Sequence, residues 1–358
     1  MGLFTPRKIE TAAFASAPVK AAAGASNIGN FLVYQAGSDE VRALSNPTVS
    51  RSRDLIASLV GSLELKHYSE QWTGTGYEEI YLPLEAWMER PDPKVTRQFF
   101  MVNIFNDLFF RGRAYAYVTT RFSTGFPASF TWLPAANISS TEQTGVPQMY
   151  GPANELEFNG QPLDVNNVIQ FLSPIPGILS IGARAINTSI YLDQAADRYA
   201  QLETTPGYLQ QVDGEDLSGE DLGDLAAAWA AARKSNAVGA LSRQVQFKEY
   251  QANPAEIVAE QRKYQALDLA RLCNIPAYLV SAPTEGASMT YQNAQQARQD
   301  LYLFGARIYL DTIEQTLSMD NVLPRGRYVE FDVESWINDS GMSPGISDPL
   351  SSPEEANT

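Results

Sequence analysis

Between Ser180 and Ser318 the sequence runs helix, small insert, helix, loop, helix, and few folds accommodate that order. SIGARAINTSIYLDQAADRYAQLE reads as a helix of roughly 22 residues, hence about 33 Å long. TTPGYLQQV breaks it and starts a strand. The acidic run DGEDLSGEDLGD leads into a short Ala-rich helix, LAAAWAAARKS, and ALSRQVQFKEY returns as a strand. A second helix of similar length then opens, with Asn253 as N-cap, Pro254 at its first position and Glu256 in its first turn, and it ends near Asn274. SAPTEGASMTYQN follows, and then a last long helix with a stripe of Ala294, Leu301, Phe304, Ile308 and Thr312. Connecting two helices takes only ~2–8 residues. The longer run of small side chains, with one acid and Met289, is either a plain surface loop or an element kept free to move.

The chain before this block has another style. TVSRSRDLIASLVGSLEL places Val49, Arg53, Ile56, Val60 and Leu63 on one helical face. KVTRQFFMVNIFNDLFFRG is apolar nearly all round, the pattern of a buried helix, and Gly112 is a natural stop. RAYAYVTTRF alternates as a strand, STGFP supplies the turn and ASFTWLP returns. Short strands are expected near Met149–Tyr150, Glu155–Phe158 and Val168–Phe171, and RYVEFDVESW reads as a late strand. The fold class is α+β. The first residues, rich in Ala, Ser and Gly, and the polar stretch from Asn338 onward read as disordered.

Composition narrows the function. A hydrophobic content of 44% supports a real core, while a net charge of −15 argues against a surface built to grip phosphates. With one cysteine, Cys273, and one histidine, His67, the chain forms no intrachain disulfide and no His/Cys metal cage, so no metal or other cofactor is expected. No apolar run approaches the ~18–20 residues that span a bilayer.

Motifs of catalysis are missing. There is no Gly-x-x-x-x-Gly-Lys, Gly-x-Gly-x-x-Gly, His-Glu-x-x-His or Gly-x-Ser-x-Gly pattern. His67, in LELKHYSE, reads as a strand residue with an exposed tip, and Cys273 as an inert buried thiol. The neighbours Glu78–Glu79, Glu215–Asp216 and Glu220–Asp221 point in different directions and make no acid/base dyads; the acidic run reads as a turn and helix start or as a docking feature. Asp193 and Asp197, four apart on one helix, either face solvent or line something that should repel phosphates. Trp229 and Arg233 are also an i, i+4 pair, an aromatic with an arginine, as in interface anchors; the plainer role for Trp229 is packing within its module.

Five blocks in order resemble the HK97-type portal proteins of tailed bacteriophages, over about residues 27 to 334. They are VSRSRDLIASLVGSLELKHY, WMERPDPKVTRQFFMVNIFNDLFFRGRAYAYV, GFPASFTWLPAANI, SPIPGILSIGARAINTSIYLDQAADRYAQLE and LDLARLCNIPAYLVSAPTEGASMTYQNAQQARQDL. Tyr291 and Asn293 stand where the family has Tyr and Asn, and Arg113 where it often has Asn. The chain departs from the family in being short, with a compressed insert and almost no C-terminal extension.

The resemblance implies an N-terminal arm (1–26), a wing (27–178), a first stem helix (179–204), a clip (205–249) and a second stem helix (250–276). A tunnel loop (277–289), a long helix with the wing's return strand (290–337) and a tail (338–358) complete it. It implies a non-enzymatic, dodecameric ring at one capsid vertex, made in the host bacterial cytoplasm and carried in the virion at the head–tail junction. Such a ring passes the genome in and out and docks the terminase large subunit, the head–tail adaptor and the major capsid protein, without a membrane. Pro283, Thr284, Glu285, Gly286, Ala287, Ser288 and Met289 would face double-stranded DNA without sequence preference; Trp229, Arg233 and Lys234 would carry clip docking; Asp193 and Asp197 would line the stem channel. A soluble carboxylate-dependent hydrolase, and a virion adaptor or scaffold ring without a DNA channel, are the competing readings.

Overall fold

The computed structural model describes residues 39–140, 151–200, 207–213, 218–235, 245–249, 254–280 and 294–338. The described residues from Arg42 onward form one compact unit.

The core of that unit is built around helix α4 (Arg97–Arg111), preceded by α1 (Asp39–Leu44), α2 (Pro47–Ser62) and α3 (Ala86–Glu89). The Thr96 side chain accepts the Phe99 N–H at 3.2 Å and starts α4, and Gly112 ends it in the left-handed region at φ 75°. Phe100, Ile104, Phe105, Leu108 and Phe109 of α4 are almost wholly buried. Helix α2 begins where Asn46 accepts the Thr48 N–H at 2.9 Å with Pro47 at its first position, and it buries Val49, Ile56, Leu59 and Val60 in the same core.

Among the described residues the strands form four small antiparallel sheets. Strands β1 (Leu65–Trp72) and β2 (Tyr77–Leu82) form a hairpin that β11 (Arg327–Phe331) joins, in the order β11-β1-β2. Strands β3 (Arg113–Arg121), β4 (Pro127–Leu133) and β8 (Val168–Leu172) pair as β4-β3-β8. Strands β5 (Ile138–Ser139), β6 (Leu156–Phe158) and β7 (Gln161–Leu163) form a third sheet, and β9 (Gly207–Gln211) pairs with β10 (Val245–Glu249). Asp107, 3% exposed on α4, ties the helix to the second sheet by accepting Trp132 Nε1–H at 2.8 Å and the Ala135 N–H at 3.0 Å. A buried carboxylate is tolerable there because two donors offset part of its desolvation.

The remaining helices are α5 (Ile178–Ile181), α6 (Ala183–Ala200), α7 (Gly219–Ser235), α8 (Pro254–Leu272), α9 (Ala294–Asp300), α10 (Arg307–Leu317) and α11 (Val333–Asn338). A π-helical segment, Leu301–Ala306, joins α9 to α10. The wider turn shifts the buried face, so Leu301, Gly305 and Ala306 point inward while Phe304 is 51% exposed. This corrects the regular stripe expected through Phe304.

Three further expectations change. His67 has no exposed tip: it is 2% exposed, and its Nδ1 lies 2.8 Å from the Pro83 carbonyl, because β1 is the central strand of its sheet and turns this residue inward with Leu65. The late strand stops at Phe331, and Asp332 accepts the Ser335 N–H at 3.2 Å to start α11. The hairpin return β2 is a strand beyond those expected. The segment expected near Met149–Tyr150 lies outside the described residues, as does Asn253.

Glu314 of α10 lies beneath β11 and accepts the Phe331 N–H at 2.7 Å. Burial pushes its carboxyl up to about 7, and the charges of Asp311 and Glu330 add to the rise that the Phe331 N–H opposes. The unfolded chain releases this proton near 4.5, so Glu314's stabilising contribution is full below that pH and is lost as pH rises through about 7. Glu314→Gln keeps an acceptor for Phe331, and it should flatten the fall in melting temperature across that window and melt higher than the parent at about pH 8. Identical pH slopes for the two proteins would contradict the raised carboxyl.

Candidate functional site

Helices α6 and α8, which flank the inserted β9–α7–β10 module, pack against each other. Gln265 Nε2 donates to the Ala185 carbonyl at 3.0 Å, and Arg262 Nε pairs with Asp193 Oδ1 at 2.9 Å. The contact is close at the base, where a Cβ on Gly182 would run into the Leu272 side chain and reach 2.7 Å from the Ile178 carbonyl. Only Ile186 and Ser189 of α6 are buried, whereas Tyr191 and Tyr264, each 67% exposed, and Ile257 at 48% stand outward. The pair leaves much of its apolar surface uncovered.

Asp193 and Asp197 therefore differ in setting. Asp193 is half-buried and ion-paired across the helices, while Asp197 is exposed. Near Asp193 lies a cavity of about 370 Å³ between Asn46, Thr48, Ser189, Arg262 and Lys263. A larger cleft of about 800 Å³ opens between β8 and α10, beside Gln170, Asp311 and Gln315. Neither lining includes a histidine or cysteine. Cys273 is buried, which pushes its thiol up to about 12 and keeps it protonated. Among the described residues no group of three His, Cys, Asp or Glu side chains is placed to hold a metal ion, and no helix is long and apolar enough to cross a membrane.

In the insert, the acidic run does start a helix. Ser218 Oγ accepts the Asp221 N–H at 3.3 Å while Asp221 Oδ2 accepts from Ser218 Oγ at 2.6 Å and Ser218 N at 3.3 Å, a reciprocal cap. Glu215 and Asp216 lie outside the described residues. Trp229 is half-buried with its ring 5.8 Å from that of Phe247 on β10, so it packs the helix on the small sheet. Arg233 and Lys234 fall in the last turn of α7, and their side chains lie outside the described residues.

Pro283, Thr284, Glu285, Gly286, Ala287, Ser288 and Met289 also lie outside the described residues, as do Tyr291 and Asn293. Their anchors are within it. Asn274 ends α8 at φ 53° and donates from Nδ2 to the Phe304 carbonyl at 2.5 Å. The Tyr278 hydroxyl donates to Asp300 Oδ2 at 2.7 Å, so the chain before residue 281 is fastened to the helix after residue 293. Burial and that carboxylate push the Tyr278 phenol up to about 12, so the donor stays protonated. Sequence reasoning missed both clasps, since neither hydroxyl nor amide has a local pattern that names its partner.

Small sheets thus pack on a buried helix, and a pair of packed helices carries an insert between its members. The sequence pattern of the phage portal proteins matches residues 47–340, well over half of the 358-residue chain. The chain belongs to the phage portal protein family, whose members are structural, non-enzymatic components of the virion. No curated protein matches it in sequence. Among solved structures it is similar to an HK97-family phage portal protein from Corynebacterium diphtheriae, at 23% identity and a TM-score of 0.64, covering 84% of this chain and 97% of that one. It is also similar to a chain in the neck of an empty gene transfer agent particle computed with C6 symmetry, at 16% identity and 0.56, covering 84% and 86%. A chain in the neck of the native particle, computed with C12 symmetry, matches at 15% and 0.57, covering 84% of each. At these identities the likeness is one of fold.

The close approach at Gly182 leaves no room for a Cβ. Gly182→Ala should destabilise the protein by about 1–3 kcal/mol in urea unfolding, through overpacking. Combining it with Leu272→Ala, which removes one of the two obstacles, should cost less than the sum of the single changes. Strict additivity would mean that the two positions are not in contact.

Proposed function

We propose that the chain is the subunit of a portal ring, a dodecamer at one capsid vertex at the head–tail junction, built in the cytoplasm of a bacterial host. The ring is the channel for genome packaging and ejection, and it docks the terminase large subunit, the head–tail adaptor and the major capsid protein. The observation that carries this reading is the helix pair α6–α8, which leaves Tyr191, Tyr264 and Ile257 in solvent. Two helices cannot bury all their faces against each other, and neighbouring copies around an axis would cover the rest. The native gene transfer agent neck computed with C12 symmetry supports twelve copies, a number that the C6 symmetry used for the empty particle also allows.

In this reading, residues 27–178 with the chain from 290 to 337 form the wing, 179–204 and 250–276 the stem, 205–249 the clip and 277–289 the tunnel loop. The loop from Pro283 to Met289 faces duplex DNA in the channel. Its small side chains and Glu285 suit contact without grip, since every added phosphate–cation pair raises affinity and friction. Asp197 fits a channel wall that repels phosphates; Asp193 fits a brace between the stem helices. Trp229 shapes the clip from within, leaving Arg233 and Lys234 as its docking cations.

Negative-stain images of the purified protein should contain rings with an axial hole wide enough for a DNA duplex; monomers, or rings without such a hole, would overturn the reading. Replacing Thr284–Ser288 by a shorter Gly/Ser link should leave ring yield and melting temperature unchanged, because the Tyr278–Asp300 and Asn274–Phe304 clasps remain. Packaged DNA should shorten in those particles, and Glu285→Lys should slow packaging. Full-length genomes in both variants would remove the loop from the channel.

A further inference from the structure

The outer face of the β11-β1-β2 sheet gathers aromatic rings in the open. Directly opposed residues share a face, and the register aligns Tyr328, Tyr68 and Tyr81 across the three strands, with Trp72 opposite Tyr77 nearer the hairpin tip. The Tyr68 and Tyr328 rings are 5.5 Å apart, and those of Trp72 and Tyr77 are 5.0 Å apart and edge-on. Trp72, Tyr77 and Tyr81 are 58%, 69% and 57% exposed. At about 200 Å² per ring, these three alone present on the order of 350 Å² of aromatic surface, as much as the largest patch on a typical monomer.

Carboxylates are set among these rings. Glu70 lies directly opposite Glu79, and Glu330 lies beside Lys66. Like charges opposed across two strands destabilise a sheet by themselves. Burial, and then the Glu79 charge, holds the Glu330 carboxyl above its ordinary range. Lys66 is the cation on this face, but it is engaged with Asp332 at 3.0 Å, and its Nζ sits 5.7 Å from the centre of the Tyr81 ring. Edge-strand protection would account for acids on β2. It would not account for five aromatic rings on the same face, which make an edge more adhesive.

We propose that this face is a docking surface for an arginine-bearing, extended segment of a different protein. Guanidinium groups stack on aromatic faces and pair with carboxylates, so one side chain answers both features of the surface. Duplex DNA is repelled by the Glu70–Glu79–Glu330 row. A second copy of this chain is a poorer occupant than a basic segment, because the chain as a whole carries −15. The segment would lie along β2, whose outer backbone edge no other strand covers among the described residues. The inference does not depend on the ring assignment.

The test uses the full chain and a short fluorescein-labelled peptide alternating Arg and Thr, read by anisotropy. Saturable binding is expected, and it should weaken about tenfold or more in Glu70→Gln/Glu79→Gln and likewise in Trp72→Ala/Tyr77→Ala. A citrulline-for-arginine peptide, neutral but of nearly the same shape, should not bind. Glu220→Gln/Asp224→Asn removes the same charge from the inserted module and should leave binding unchanged. Equal weakening in that control would reduce the effect to net charge and overturn the proposal, as would unaltered binding in the two sheet variants. Sedimentation of each variant supplies the remaining outcome: a change in oligomer size would assign the face to contacts between copies instead.

Discussion

The burial of helix α4 between Phe100 and Phe110 is the constraint from which the rest of the fold follows. Phe100, Ile104, Phe105, Leu108 and Phe109 leave water almost completely, and at about 2 kcal/mol for each large apolar side chain they form the main driving force of this region. A helix apolar all round needs cover from several elements, and it has them in α2, α5, α10 and the β4-β3-β8 sheet. Tyr309 from α10 meets Phe105 edge-on at 5.2 Å, and Phe130 from β4 packs with Phe100 and Trp87. Asp107 then fixes the register between helix and sheet. Hydrophobic contact alone permits sliding, and two directional hydrogen bonds from Trp132 and Ala135 do not.

The outlying parts follow the opposite logic. Helices α6 and α8 bury one narrow seam, secured by Gly182, the Gln265–Ala185 hydrogen bond and the Arg262–Asp193 pair, and keep tyrosines in solvent. The β1–β2 hairpin behaves alike: Leu65 and His67 enter the core, while Trp72, Tyr77 and Tyr81 do not. A portal-family subunit with a tight centre and uncovered projections fits a part made for assembly, because surface left open in one chain is available to a partner: in the proposed readings, a neighbouring copy for the helix pair and a different protein for the hairpin. The ion pairs on these projections remain partly open to water, so each contributes little stability.

The candidate functional elements were legible in a particular way. A structural subunit has no nucleophile, metal cage or phosphate loop to advertise it, so chemistry-bearing motifs carried no positive signal. What suggested the wing, stem, clip and tunnel loop was the order of elements and the resemblance. Trp229 illustrates the limit: its spacing to Arg233 allowed either an interface anchor or packing within the module, and its ring lies 5.8 Å from that of Phe247, eighteen residues on in the chain. No local pattern distinguishes those roles.

By itself the sequence determined the features whose causes lie within a few residues. The Asn46–Pro47 and Thr96 helix starts, the stop at Gly112, the buried character of α4 and the turn between β3 and β4 all follow from capping, φ preference and periodicity. Tertiary structure decided what depends on partners far along the chain. His67 is inside because β11, more than 250 residues later, pairs with β1 at Val329 and makes it a central strand. Phe304 faces out because a π-helical segment re-phases the last long helix. Glu314 holds its proton to about pH 7 because β11 covers it. Periodicity records how a residue faces its neighbours in sequence; burial, charge state and exposed face are set by which distant element arrives opposite.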